Sequence, residues 1–180
     1  YLANAEQVQV LGFEIDGRIR FNQNVSFNAA FAYTDGKYIK FTNAPVPIEE
    51  VGGPSAFKDI SGGVLPGISK YALSGGTELS QKGRLFGLEG KFFGGLDIYY
   101  RSTFSSSPSP SAHLDIEGYA LLNGRVGFRA ANGISIFLWG RNIGNVDYYE
   151  QLLVAPGSSC QIGGIIGDHR TYGITLRYTL

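Results

Sequence analysis

The chain has 180 residues, of which 43% are hydrophobic, and this composition suits one ordered domain and excludes wholesale disorder. Lysine and arginine total 15, and aspartate and glutamate also total 15, so no basic surplus exists to attract nucleic acid. With 26 glycines, 11 tyrosines, 12 phenylalanines and only 17% charged residues, the composition favours strands over helices.

Alternation of apolar and polar side chains predicts seven strands. In chain order they cover residues 11–21, 25–34, 71–79, 85–101, 119–129, 134–143 and 171–180. In the first strand, Phe13 and Ile15 alternate with Glu14, and the other strands follow the same rule. Phe137 and Trp139 depart from it, because both lie on the polar side of the sixth strand, and the pattern does not explain them.

The connections between these strands alternate between short and long. The short ones lie at residues 22–24, 81–83 and 130–133, and the long ones at residues 35–70, 102–118 and 144–170. A soluble antiparallel sandwich also alternates polar and apolar positions. Strands of about 10 residues, with tight turns at one end and long loops at the other, favour an outer-membrane β-barrel. Residues 102–111, STFSSSPSPS, are predicted to be a mobile external loop.

Charged residues in the core of the predicted strands occupy only the polar side, as the cost of a charge in lipid demands. This inward set is Glu14, Asp16, Arg18, Arg20, Glu89, Lys91, Asp97, Arg101, Arg125, Arg129, Arg141 and Arg177. One interpretation is that these charges pair with one another or with an enclosed domain. The other is that those near the outer ends of the strands attract an anionic ligand. The candidate ligand-binding residues are Tyr99, Arg101, Arg141, Tyr148, Tyr149 and His169.

Aromatic residues near the strand ends of the apolar side are predicted to form interfacial girdles, with ordinary core aromatics as the alternative. They are Phe21, Phe27, Tyr33, Tyr100, Tyr172 and Tyr178. Backbone groups in lipid must all be paired, so a spanning sheet has to close without edges. Seven strands leave two edges, which predicts that the chain is the carboxyl-terminal portion of a larger barrel.

Other classes of site have little support. Cys160 is the only cysteine and lies far from His113 and His169, so we predict no metal site, no cofactor and no disulfide within the chain. No Gly-x-Ser-x-Gly elbow or phosphate-binding loop is present, which argues against an enzyme. No apolar run approaches the roughly 20 residues of a spanning helix. The chain begins at Tyr1 without a methionine, and we interpret it as a piece of a longer protein.

Three stretches resemble the carboxyl-terminal barrel of TonB-dependent outer-membrane receptors. They are NAEQVQVLGFEIDGRIRF at residues 4–21, GRNIGNVDYYEQLL at residues 140–153 and GDHRTYGITLRYTL at residues 167–180. Residues 59–79, DISGGVLPGISKYALSGGTEL, further resemble a segment of members that import iron complexes. The chain departs from the family at its last residue, where Leu180 replaces the usual aromatic.

The resemblance implies a 22-stranded bacterial outer-membrane barrel around an amino-terminal plug that is not part of residues 1–180. It implies energy-coupled uptake of a scarce solute, most of all an iron–siderophore complex. The implied partners are this solute, outer-membrane lipid and the TonB complex, which would engage the missing amino-terminal region. A passive porin or structural barrel, and a soluble β-sandwich binding module, are the alternative functions.

Overall fold

Strands dominate the computed structural model, which describes residues 4–155 and 161–179. In chain order they are β1 (Gln7–Arg20), β2 (Val25–Lys40), β3 (Ala44–Pro45), β4 (Phe57–Lys58), β5 (Tyr71–Leu85), β6 (Leu88–Arg101), β7 (Phe104–Ser105), β8 (Asp115–Ile116), β9 (Tyr119–Ala130), β10 (Ile134–Arg141), β11 (Tyr149–Val154), β12 (Ile162–Ile166) and β13 (Thr171–Tyr178). Two short 3-10 helices, Ile48–Glu50 and Ala112–Leu114, lie in the loops. Among the described residues, no helix has the length and hydropathy needed to cross a membrane.

Seven long strands form one antiparallel sheet in the order β1-β2-β5-β6-β9-β10-β13. The seven strands predicted from the sequence are therefore confirmed. The remaining strands pair within the loops as β3 with β4, β7 with β8, and β11 with β12. Within the described part of the chain, β1 and β13 each have only one neighbour, so the sheet is open at both edges.

The register keeps one side of the sheet apolar across all seven strands. One cross-strand row of directly opposed residues runs through Val25, Leu79, Gly94, Val126, Leu138 and Ile174. This side, called the apolar face, is open, with Val126 59% and Ile174 66% exposed. Glu14 and the other charged residues of the strand cores lie on the opposite side, called the polar face. A continuous exposed apolar face of this size needs an apolar partner.

The predicted girdle aromatics lie on the apolar face or at its margin, not in a protein core. Phe21 is 77% and Tyr172 70% exposed. Instead, the buried hydrophobic residues are mostly at the loop end, where Tyr38, near the end of β2, forms a small cluster with Phe41, Ala44 and Ile60. The main sheet thus presents both faces to its surroundings.

The connections fall at two ends of the sheet, called the turn end and the loop end. The turn end has tight turns at residues 21–24, 86–87 and 131–133, and the loop end has loops at residues 41–70, 102–118 and 142–170. The predicted turns at 22–24 and 130–133 are confirmed, but the turn predicted at 81–83 is wrong. Gly83 pairs with Gly90, and the turn is Phe86–Gly87, with φ of 49° and 82°. Two consecutive left-handed residues are what a two-residue type I′ hairpin requires.

Other strand boundaries also differ from the sequence prediction. The first long strand begins at Gln7, not at residue 11, and the third extends to Leu85, not to residue 79. The fourth long strand begins at Leu88, not at residue 85, because of the shifted turn. The second extends to Lys40, because β1 already starts at Gln7 and pairs with it. The sixth ends at Arg141, because the φ of 46° at Asn142 breaks the extended backbone. Leu180 and Cys160 lie outside the described residues.

Phe137 and Trp139 on the polar face are explained by glycines on the neighbouring strands. Phe137 is directly opposite Gly127, and Trp139 is directly opposite Gly173. A Cβ atom on Gly127 would collide with Phe137, and one on Gly173 would collide with the Trp139 ring. The Trp139 Nε1 also donates to Thr175 Oγ1 at 3.1 Å. Each aromatic side chain therefore occupies space that a glycine leaves free. This packing stabilises the two strands at a position where the glycine has no side chain of its own to pack.

Gly127→Ala is expected to lower the free energy of unfolding of the complete receptor by about 1–3 kcal/mol, because the added methyl group overpacks the site. The clash involves the backbone of Ile136 and Phe137, which a rotamer change cannot relieve. Gly17→Ala is the matched control, since no atom lies within 4 Å of its Cβ position. Urea titration of both variants in lipid vesicles checks this. Equal unfolding midpoints for the two variants would contradict the packing of Phe137 on Gly127.

Candidate functional site at the loop end

Three tyrosines form a chain of ring contacts at the loop end of the polar face. Tyr99 on β6 and Tyr119 on β9 have ring centroids 6.4 Å apart, and Tyr148 from the loop at 142–170 lies 4.4 Å from Tyr119. We call Tyr99, Tyr119 and Tyr148 the tyrosine cluster. Burial raises the pKa of Tyr148, and the negative charge of Glu150 raises it further. Its hydroxyl therefore remains protonated at neutral pH.

Asn142 determines where Tyr148 lies. Its side chain is almost fully buried, with Nδ2 donating to the carbonyl oxygens of Val146 at 2.8 Å and Asp168 at 3.0 Å. Its Oδ1 accepts from the Val146 N–H at 2.9 Å. These bonds join the end of β10 to the segment before β13. Gly167 then packs on the Tyr148 ring, and its N–H donates to the Tyr148 carbonyl at 2.9 Å.

Arg101 lies on the polar face, but its guanidinium is engaged by the loops. Its Nε donates to Ser69 Oγ at 2.8 Å, and a terminal nitrogen donates to the Gly67 carbonyl at 3.2 Å. The guanidinium also lies 3.6 Å from the centre of the Phe104 ring. Arg101 therefore fastens the loops at 41–70 and 102–118 to the end of β6. Its predicted contact with a ligand stays a prediction.

Arg141 is the more available cation. It lies on the polar face at the end of β10, opposite Thr171, and is exposed. Its guanidinium lies 5.5 Å from the centre of the Trp139 ring, within the range of a cation–π interaction. Among the ion pairs of the described residues, none involves Arg141.

Tyr149 and His169 lie further out, and the structure does not bring them into the tyrosine cluster. Tyr149 begins β11, is 46% exposed, and covers Gly164 of the paired strand. The His169 Nδ1 lies 3.3 Å from Asp147 Oδ1, and both side chains are largely exposed. These residues belong to the outer surface of the loop at 142–170.

The serine-rich segment at 102–111 lies at the loop end, as predicted, but it packs against the neighbouring loops. Ser105, Ser109 and Ser111 are buried. The Ser109 hydroxyl donates to the Pro45 carbonyl, and the Ser111 hydroxyl donates to Glu49 Oε1 at 2.9 Å. On its other side, the segment contacts the third loop.

That contact is a hydrogen bond from the Leu152 N–H to Ser106 Oγ at 3.0 Å. The Ala112 N–H also donates to Glu49, at 3.0 Å. The pKa of Glu49 is lowered, first by its own backbone N–H and then by the Ser111 hydroxyl. The expectation of a mobile loop is wrong because these serines hydrogen-bond to the first and third loops, which joins all three.

Only some of the charged side chains on the polar face form ion pairs with one another. Arg125 contacts Glu78 at 2.9 Å and Asp97 at 3.5 Å, and Arg84 pairs with Glu89. Within the predicted inward set, only Arg125 and Asp97 pair with each other, whereas Glu89 pairs with Arg84, which the prediction did not include. Among the described residues, the other inward charges make none of the ion pairs.

Comparison with known proteins identifies the family. A sequence profile described as "TonB dependent receptor-like, beta-barrel" matches residues 1–143, well over half of the chain. The chain belongs to this family. The fold, the predicted family resemblance and the outer-membrane location are therefore confirmed. No curated protein sequence matches the chain significantly.

Two solved receptors have the same fold. The ferric yersiniabactin uptake receptor FyuA from Yersinia pestis superposes with a TM-score of 0.74 at 15% identity, over 95% of this chain and 23% of that one. The siderophore receptor PiuA from Acinetobacter baumannii superposes with a TM-score of 0.69 at 12% identity, over 95% of this chain and 22% of that one. The chain thus spans less than a quarter of the length of either receptor.

Membership of the TonB-dependent receptor family assigns a medium to each face. The sheet is part of an outer-membrane barrel wall, so the apolar face contacts lipid and the polar face faces the lumen. The turn end is periplasmic and the loop end is extracellular. A soluble β-sandwich is excluded. The family is one of receptors and transporters, not of enzymes.

Tyr119 is the residue of this site that the sequence reasoning missed. It occupies the polar side of β9 at the loop end, level with Arg101 across the sheet. Its parity and position were therefore readable from the strand pattern. Its contact with Tyr148 was not readable, because that contact depends on the path of the loop at 142–170.

Proposed function

We propose that the chain is part of a receptor that takes up a scarce iron–siderophore complex across the outer membrane by energy coupling. Residues 1–180 would form the carboxyl-terminal portion of a 22-stranded barrel. A plug and the segment that engages the TonB complex would be supplied by other parts of the receptor. Family membership supports a receptor, and the names of FyuA and PiuA support a siderophore as the class of solute.

The tyrosine cluster, with Arg141 on the same polar face, is the observation that supports this proposal for the site. The rings of Tyr99 and Tyr119 line the extracellular end of the lumen and offer flat apolar faces with hydroxyl groups at their edges. Arg141 adds a positive charge that has no acidic partner among the described residues. Aromatic faces with a free cation suit an anionic iron chelate that carries planar groups.

The six candidate residues have different parts in this proposal. Tyr99, Tyr148 and Arg141 contact the solute, with Tyr119 added to them. Arg101 holds the loops that shape the site, and it reaches the solute only if Ser69 and Gly67 release it. Tyr149 and His169 meet the solute first, on the outer surface.

Arg141→Gln is expected to weaken binding of an anionic ferric siderophore about tenfold, the effect of losing one charge-assisted hydrogen bond of about 1.5 kcal/mol. Lys70→Gln is the matched control, because Lys70 lies over the Tyr33 ring on the apolar side and should not affect binding. The probes are ferric yersiniabactin and one ferric catecholate and one ferric hydroxamate siderophore, titrated into the complete receptor. Equal affinities of the two variants for every bound probe would contradict the role of Arg141.

Uptake by cells that express the complete receptor tests the function itself. We expect accumulation of radioactive iron from a bound probe to stop when the proton gradient is dissipated. Accumulation that continues unchanged would indicate a passive porin. Binding of none of the ferric probes, with energy-coupled uptake of another solute, would overturn the siderophore assignment alone.

A further inference from the structure

Three aromatic side chains lie on the polar face below the tyrosine cluster, at positions where the strand pattern calls for polar residues. The register places Phe93 opposite Gly127, and Gly127 opposite Phe137. The ring centroids of Phe93 and Phe137 are 6.0 Å apart, and Trp139 follows on the same face of β10. We call Phe93, Phe137 and Trp139 the aromatic patch. Its rings are only partly buried, and apolar groups exposed on a polar surface commonly mark a contact site.

Two cations flank the aromatic patch. The Arg129 guanidinium lies 5.3 Å from the centre of the Phe93 ring, and that of Arg141 lies 5.5 Å from the centre of the Trp139 ring. Neither arginine takes part in the ion pairs of the described residues. Arg125, opposite Trp139, already pairs with two acids. The patch therefore offers planar rings together with two positive charges that an anion can use.

The aromatic patch lies along the wall from the tyrosine cluster toward the periplasm. Phe93 is on the same strand as Tyr99, about 20 Å further toward the turn end at about 3.3 Å per residue. Arg141 lies between the two groups of rings, because it contacts Trp139 from the loop-end side. Phe93 and Arg129 also line a polar recess of about 380 Å³, a volume in the range of small-molecule sites.

The neighbouring part of the polar face is different. Where β2 and β5 pair, the polar-face residues are small or polar and none is aromatic: Ser26, Asn28, Ala30, Ala32, Ala72, Ser74, Gly76 and Glu78. Rings and unpaired arginines therefore coincide on β6, β9 and β10. Packing on glycine explains how Phe137 and Trp139 fit the sheet, but it does not require that Phe93 and two arginines join them.

We propose that the aromatic patch is a second, transient binding site for the solute, so that an anionic solute with planar groups crosses the lumen along β6, β9 and β10. A ring stacks on a planar group while the guanidinium beside it balances the negative charge, as in the extracellular site. A solute that passes between two such sites loses fewer contacts at each step, which lowers the barrier to crossing. This inference rests on the proposed function, which supplies the solute.

Phe93→Leu combined with Phe137→Leu tests the second site in cells that express the complete receptor. The probe is whichever of ferric yersiniabactin, a ferric catecholate and a ferric hydroxamate the receptor binds best. We expect the affinity of the resting receptor for this probe to be unchanged, because the tyrosine cluster remains intact. The maximal rate of iron uptake per receptor should fall about fivefold to tenfold, the effect of losing two ring contacts with the moving solute.

Phe92→Leu is the matched control, because Phe92 is the next residue of β6 but lies on the apolar face. Its uptake per receptor should equal that of the wild type. Wild-type uptake per receptor by the double variant would overturn the proposal and leave the proposed function standing. If the double variant only lowers the amount of folded receptor, the rings stabilise the sheet and the proposal is wrong. Binding of none of the probes would overturn the proposed function, and this proposal with it.

Arg129→Gln tests the charge of the second site separately from the packing of its rings. We expect uptake of the same probe to slow several-fold with unchanged affinity of the resting receptor. Arg18→Gln is the control, since Arg18 lies on the polar face of β1, away from the patch, and also takes part in none of the ion pairs of the described residues. Equal uptake rates of these two variants would overturn the proposal.

Discussion

Ala29→Arg is expected to destabilise the complete receptor in lipid vesicles by about 2–4 kcal/mol, the cost of an arginine on the lipid face at the bilayer midplane. Ala29 lies at the middle of the apolar-face residues of β2, with Gly17 and Gly75 opposite it. Neither neighbour can pair with the new charge. Urea titration of the folded receptor in vesicles measures the change in free energy of unfolding.

Ala30→Arg is the control, since it adds the same side chain at the next residue but on the polar face. Ala30 is directly opposite Asp16 and Ser74, so the new guanidinium meets an acid in a wet lumen. We expect a change of at most about 1 kcal/mol, in either direction, as is usual for solvated ion pairs. Equal losses for the two variants would show that hydrocarbon does not contact the apolar face.

Asn142→Ala is expected to raise hydrogen exchange at residues 142–149 about a hundredfold, equivalent to about 3 kcal/mol of local stability. The substitution leaves the Val146 N–H and the Asp168 carbonyl without the hydrogen bonds that Asn142 makes. It also places alanine at a φ of 46°, where a Cβ atom is unfavourable. On the proposed function, affinity for a ferric siderophore should fall as well, because Asn142 positions Tyr148.

Two further variants separate the causes. Asn142→Gly removes the φ penalty but not the loss of hydrogen bonds, so most of the effect should remain. Asn142→Asp keeps the oxygen that accepts from the Val146 N–H but loses the donor to the Val146 and Asp168 carbonyls. Its hydrogen-exchange rates should therefore lie between those of the wild type and those of the alanine variant. Asn43→Ala, at an exposed position of the first loop, is the control with little expected effect. Wild-type exchange rates in the alanine variant would refute the role of Asn142.

Most of the sheet could be read from the sequence, because strand periodicity is a local property. Phe13 and Glu14 are adjacent in a strand, so their side chains must point to opposite faces of the sheet. The same rule applies along every strand. The position of one hairpin could not be read, because Gly83 and Gly87 are both suitable turn residues. Pairing of Gly83 with Gly90 decided between them.

The site was predicted only in part, because it depends on loops. The sequence placed Tyr99, Arg101 and Arg141 at the outer ends of strands, and the structure agrees on their face and level. The sequence did not show that the Arg101 guanidinium donates hydrogen bonds to Ser69 and Gly67. Those contacts join residues more than thirty positions apart, which a local pattern cannot report.

The sequence by itself determined the seven strands of the main sheet and the face that each side chain takes, because these follow from an alternation of two residues. The prediction that lipid contacts one face needed strand length and the order of short turns and long loops as well. Only the tertiary structure decided how the serine-rich segment joins the three loops and how Tyr119 meets Tyr148. Each of these depends on register and loop path between distant segments, where the free energy of many weak contacts selects one arrangement.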